Sequence, residues 1–86
     1  MRTLKLELVT PEAKVYSGDV VAVMAPGAEG SFEVLYNHAP MISLLGSGKL
    51  MIRTPDRQEK HFHVKGGALE VNANKVIVLV ESIQAD

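Results

Sequence analysis

Leu4, Leu6 and Leu8 alternate with Lys5 and Glu7, and the same two-residue beat returns at Leu50 and Ile52, at Phe62 and Val64, and at Leu69 and Val71. A period of two puts every second side chain on one face of an extended chain, so each stretch reads as a strand with one buried face. Turn-forming residues separate the stretches at Thr10-Pro11-Glu12, Ser17-Gly18-Asp19, Gly46-Ser47-Gly48, Pro55-Asp56, Gly66-Gly67 and Asn72-Ala73-Asn74. No long segment carries a helical period. Short strands parted by turn signals roughly every eight to twelve residues specify an all-β chain. The expectation is a single domain over residues 1–86, an antiparallel β-sandwich or flattened barrel of about 8–10 short strands.

Four stretches carry finer expectations. Ser17-Gly18-Asp19 reads as a tight hairpin connection into Val20–Met24, and because that run does not alternate it is expected to be buried on both sides or central in its sheet. Met41–Leu45 is compatible with a strand or one helical turn, since five residues do not fix a period. Lys75–Glu81 is the most β-branched run and forms the last strand, with Ser82–Asp86 a polar end beyond it. In the short segment Ser31–Val34, Phe32 and Val34 point one way and Ser31 and Glu33 the other.

The chain has 86 residues, of which 47% are hydrophobic, so it is too apolar for disorder yet bounds only a thin core. Nine basic and ten acidic residues leave a net charge of −1 with no basic run, which removes the electrostatic footprint of a nucleic-acid or anionic-membrane binder. Cysteine is absent, so neither a disulfide framework nor a thiolate metal site is available. The charged start Met-Arg-Thr-Leu-Lys-Leu-Glu lacks a signal-peptide core, and no run approaches the ~18 apolar residues of a membrane-spanning helix.

Ala25–Pro40 is the most shaped segment. Prolines fix φ near both ends, Gly27 and Gly30 supply freedom between them, and the segment closes on a rigid Asn37-His38-Ala39-Pro40 corner. Such a loop on a β scaffold suits docking better than chemistry. His38, His61 and His63 have no carboxylate or nucleophile at a spacing that catalysis uses. His61 and His63 share a strand face, but a metal needs a third ligand that the sequence does not supply. The glycine pairs open no helix and lack the Lys-Ser/Thr of a nucleotide loop, and Met24, Met41 and Met51 read as core filler.

Seven short motifs in order carry a resemblance: Thr10-Pro11-Glu12, Val15-Tyr16-Ser17-Gly18, Pro26-Gly27-x-Glu29-Gly30-x-Phe32, Leu35-x-Asn37-His38-Ala39-Pro40, Gly48-x-Leu50, Val64-x-Gly66-Gly67-x-Leu69-Glu70-Val71 and Val76-x-Val78-Leu79. From about residue 3 to residue 81 the chain resembles the N-terminal β-sandwich of the epsilon subunit of F-type ATP synthases, the delta subunit in mitochondria. The resemblance implies a non-catalytic rotor component of the central stalk, without cofactor, packed on the gamma subunit and resting on the polar loops of the c-ring. It implies a peripheral place on the cytoplasmic or equivalent face of an energy-transducing membrane, reached through the complex and without direct membrane insertion.

Carried over position by position, the resemblance assigns Thr10, His38, Ala39, Pro40, Met41 and Ile42 to the gamma interface, and Glu29, Gly30 and Ser31 to the c-ring interface. Three departures stand out. Ser31 replaces an acidic residue common in the family, so Glu29 or Glu33 has to supply that charge. Glu33 and Tyr36 stand where glycine and proline are common. The two-helix hairpin that follows the sandwich in typical members, and that inhibits hydrolysis or binds ATP, has no counterpart in this sequence, so the expectation is a short form that binds no nucleotide. A free-standing β-sandwich adaptor gripping another protein through the same loop would carry the same residue signals, and a two-histidine metal protein is a more remote alternative.

Overall fold

A computed structural model describes residues 2–85; Met1 and Asp86 lie outside the described residues. The alternating stretches form eight strands: β1 (Leu4–Val9), β2 (Lys14–Val20), β3 (Ala22–Gly27), β4 (Gly30–Val34), β5 (Met41–Leu45), β6 (Gly48–Arg53), β7 (Glu59–Asn72) and β8 (Lys75–Ala85). No helix occurs among the described residues. The strands hydrogen-bond in the order β2-β1-β8-β7-β5-β3-β4, with β6 between β3 and β7.

The two longest strands make this single sheet fold over on itself. Residues 67–71 of β7 pair with β5, whereas residues 59–64 pair with β6. Its partner β8 follows through both halves, from Asn72↔Lys75 to Phe62↔Ala85. One layer is therefore β2-β1-β8-β7-β5, the other β8-β7-β6-β3-β4, and β7 and β8 belong to both. A single pair, Gly27↔Leu45, closes the far side, flanked by Ala28 N–H to Leu44 O at 2.9 Å and Gly46 N–H to Pro26 O at 2.9 Å. Leu4, Leu6, Leu8, Val23, Leu50, Ile52, Leu69, Val71, Val76 and Val78 fill the space between layers and are each at most 1% exposed. Burying a side chain of this kind contributes about 1.5–3 kcal/mol, so the core rests on these residues together.

The crossing in β7 happens at Gly66 and Gly67, whose φ angles are 56° and 145°. A Cβ on Gly67 would overlap the Leu79 carbonyl oxygen of β8, so the close strand approach itself excludes a side chain. The pair thus bends a continuous strand; it does not interrupt one, as the sequence suggested.

Four other expectations change. The sheet is not strictly antiparallel: β1 and β8 run parallel, from Lys5↔Lys75 to Val9↔Leu79. Hairpin turns fix direction only between neighbours in sequence, whereas β1 meets β8 through tertiary closure. Ser17-Gly18-Asp19 lies inside β2, paired with β1 from Lys5↔Asp19 to Glu7↔Ser17. The chain turns at Val21 instead, passing from one layer to the other. That passage explains why Val20, Ala22 and Val23 are all buried while Met24 is 40% exposed: the inward side switches, and the run is not buried on both faces, although β3 is central, between β4 and β6. Finally, β8 does not stop at Glu81 but continues to Ala85, with Ile83 opposite Val64 and packed against the core. Met41–Leu45 resolves as a strand.

Gly67→Ala is expected to cost about 2 kcal/mol or more, from backbone overlap and a forbidden φ. Gly46→Ala, whose Cβ would meet nothing closer than 3.8 Å, serves as the control and is expected to change stability by no more than about 0.5 kcal/mol. Urea unfolding of both variants checks the pair; equal midpoints would contradict the bend.

Candidate docking surface

After β4 ends at Val34, the chain turns on a His38 N–H to Leu35 O bond of 3.0 Å. Asn37 sits at φ 65°, a left-handed geometry that asparagine tolerates better than most residues. Its N–H donates to Asn74 Oδ1 at 2.7 Å, and Asn74 Nδ2–H donates to Asn37 Oδ1 at 3.2 Å. Asn74 belongs to the β7–β8 turn, at φ 61°, and its carbonyl accepts the Lys5 N–H at 2.9 Å. The corner is consequently tied to two strands it does not border in sequence. His38 Nδ1–H donates to Ala39 O at 2.8 Å, which selects that tautomer, and the Arg2 guanidinium lies 5.6 Å from the Tyr36 ring centroid.

From this corner β5 runs along the outside of the first layer. Register pairing aligns Leu44, Ala68, Leu79 and Val9 in one row across β5, β7, β8 and β1. The next row holds Ile42, Glu70, Ile77 and Glu7. Ile42 is 74% exposed, Leu44 69% and Leu79 53%, values far above those of the core strands beneath. Single exposed leucines are ordinary, but aligned apolar side chains on adjacent strands make a continuous patch of the kind that another protein covers.

The residues assigned to gamma fall on different parts of this layer. Ile42 stands on the outward face, while Met41 is half-buried opposite Val71 and packs against the core. Thr10 follows Val9 at the other end, beside Pro11, Gly67 and Leu79. Its Oγ1 accepts from Ala13 N–H at 3.2 Å and Glu12 N–H at 3.3 Å, so the hydroxyl is engaged in its own turn. Thr10 and His38 therefore share the layer without meeting. Leu44, Ala68, Leu79 and Val9 were not singled out from sequence. The unbroken Val76–Val80 run held the signal, because an apolar run on a strand puts apolar side chains on both faces.

Glu29, Gly30 and Ser31 cap the β3–β4 hairpin, where Gly27 pairs with Gly30 and Pro26 with Ser31. Gly30 has φ 138° and open space around it, and all three residues are exposed. The Ala28 bond to Leu44 pins this tip at the end of β5 opposite the corner. Five strand residues at ~3.3 Å each put the two assigned sites on the order of 15 Å apart. Neither Glu29 nor Glu33 has an ion-pair partner among the described residues.

On the second layer His61 Nε2 lies 3.6 Å from Glu59 Oε1, while its Nδ1 is shielded from solvent with no hydrogen-bond partner. Among the described residues no three His, Asp or Glu side chains gather in a way that could hold a metal ion.

A family model described as ATP synthase, Delta/Epsilon chain, beta-sandwich domain matches residues 3–86. The chain is 40% identical over 82 residues to an ATP synthase epsilon chain from Chlorobium limicola, covering 95% of this chain and 93% of that one. It is 44% identical over 81 residues to the ATP synthase epsilon chain of Nitratiruptor sp., of which it spans 63%. In fold it is similar to a chain of the Euglena gracilis mitochondrial ATP synthase, in a structure of OSCP, F1 and c-ring, with TM-score 0.93, 20% identity and coverage of 99% of this chain and 54% of that one. A chain of the Tetrahymena thermophila central stalk and c-ring structure matches with TM-score 0.80 and 21% identity, covering 95% and 66%.

Asn74→Gly keeps the turn's left-handed geometry while removing both side-chain bonds to Asn37. It is expected to cost about 1 kcal/mol and to speed hydrogen exchange at the Asn37 amide, with the β7–β8 amides unchanged. Unaltered exchange at Asn37, read by NMR, would mean that the corner holds itself.

Proposed function

The chain belongs to the family of ATP synthase delta/epsilon β-sandwich domains, and from that premise we propose that residues 1–86 act as one non-catalytic coupling unit of the rotor. In this reading the gamma subunit grips the outer face of the β2-β1-β8-β7-β5 layer, and the c-ring meets the β3–β4 hairpin tip. The observation that carries it is the apolar row Leu44, Ala68, Leu79 and Val9 with Ile42 beside it, in which Leu44, Leu79 and Ile42 stay exposed among the described residues. The names of the similar proteins and the central-stalk context of the Tetrahymena match support the choice of partner.

Mechanically, the unit has to resist torsion between two partners. Hydrogen bonding runs unbroken from β7 through β6, β3 and β5 back to β7, so shear between layers would have to break strand pairs. The corner and the hairpin tip sit at opposite ends of β5, which suits one element to two neighbours. Ser31 carries no charge, and the exposed carboxylates Glu29 and Glu33 flank it as candidates for meeting polar ring loops.

Catalysis has no place in this reading. The Thr54 hydroxyl, which reaches Asp56, also bonds Gln58 and serves to close the β6–β7 turn. No helix among the described residues is long and apolar enough to cross a membrane, and the proposed location is peripheral, on the cytoplasmic or equivalent face, through the complex.

Ile42→Asp is expected to weaken binding to the purified gamma subunit by about a hundredfold, since it forces an unpaired charge into the covered patch. His61→Asp, on the other layer, is expected to leave affinity within about twofold. Equal losses, measured by surface plasmon resonance, would count against the assigned face. Recovery of a tagged chain from membrane extract without gamma or c subunits would favour the free-standing adaptor.

A further inference from the structure

The apolar face contains one residue that does not suit burial. Glu70 lies in register between Ile42 on β5 and Ile77 on β8, with Ala68 in the next row of the same strand. Its side chain is exposed, and no cation among the described residues forms a salt bridge with it. The other carboxylate of that row, Glu7, is held differently: Lys14 Nζ lies 3.6 Å away. Lys5 and Lys75 pair with each other one row further along, opposite Asp19 and Asn72, and neither comes within 4.0 Å of the Glu70 carboxylate.

Any partner that covers Ile42 and Ile77 must take water from the carboxylate between them. Desolvating an unpaired carboxylate costs several kcal/mol and would cancel much of the gain from the apolar row. We propose that the gamma surface covering this face presents an arginine or lysine to Glu70, so that a charge-assisted pair at the centre of the contact sets its register. Arginine suits the position best, because a planar guanidinium can meet both carboxylate oxygens while its faces lie against the flanking isoleucines. The apolar row supplies contact area and Glu70 selects which surface fits, since a partner without the cation pays for the buried charge. This inference rests on the proposed grip by gamma.

The two possibilities predict opposite signs for Glu70→Gln, a change that keeps shape and removes charge. With a cation opposite, the variant leaves that cation buried and unpaired, so affinity for purified gamma is expected to fall about tenfold or more, chiefly through faster dissociation. The gap between wild type and Glu70→Gln is expected to shrink as salt is raised, because screening weakens the wild-type pair, and Glu70→Lys is expected to bind more weakly still. Glu59→Gln, on the other layer and outside both proposed interfaces, serves as the charge-neutralising control, and thermal melts check that each variant is folded. Unchanged or tighter binding by Glu70→Gln would overturn the proposal while leaving the grip intact. Failure of the wild-type chain to bind gamma would remove the proposed function and this inference together. A wild-type chain that is dimeric without gamma and becomes monomeric on Glu70→Gln would assign the face to a second copy, and overturn the inference as well.

Discussion

Two strands have to serve two layers, and the contact that permits this is the approach of Gly67 to the Leu79 carbonyl. A side chain at that point would hold β7 away from β8 where both cross from one layer to the other. The ladder from Asn72↔Lys75 to Phe62↔Ala85 runs through this crossing, so a single hairpin ties the layers together covalently and by hydrogen bonds. For a chain of 86 residues that matters, because the core between the layers is thin and a second independent sheet would have few contacts to hold it.

The same crossing fixes the candidate docking surface. It turns the 67–72 half of β7 and the 75–80 half of β8 into the middle of the first layer, with β5 on one side and β1 on the other. Their outward side chains then line up as the Leu44–Val9 row. At one end the Asn37–Asn74 pair anchors the corner to the β7–β8 turn; at the other the Ala28–Leu44 bond anchors the hairpin tip. The surface is thus held by elements whose positions are already determined by the core. Such pre-organisation reduces the ordering cost of binding.

Much of this was legible in the residues. Alternation at Leu4–Leu8, Leu50–Ile52, Phe62–Val64 and Leu69–Val71 identifies strands and their buried sides, and Asn72-Ala73-Asn74 marks the turn that the structure forms. The layer crossing was also written in the sequence, although less openly. Core-facing positions in β7 are even-numbered at Phe62 and Val64 and odd-numbered at Leu69 and Val71, so the phase flips across Gly66-Gly67. A glycine pair reads locally as a break; the flip shows that the strand continues on the other layer. Val20–Met24 posed the same problem, since a chain that changes layers loses alternation just as a doubly buried strand does. The parallel β1–β8 pair had no local signal, because direction between distant strands is set by closure of the whole sheet. Exposed apolar residues such as Leu79 were hidden for a related reason: an all-apolar strand does not say which face a partner covers.

Hydrogen exchange of the whole chain, followed by mass spectrometry with and without purified gamma subunit, tests the central claim most directly. Gripping the first layer predicts added protection in peptides spanning residues 41–44, 68–70 and 77–79, with the β3 and β6 peptides unchanged. Protection confined to β3, β4 and β6, or none at saturating gamma, would contradict it.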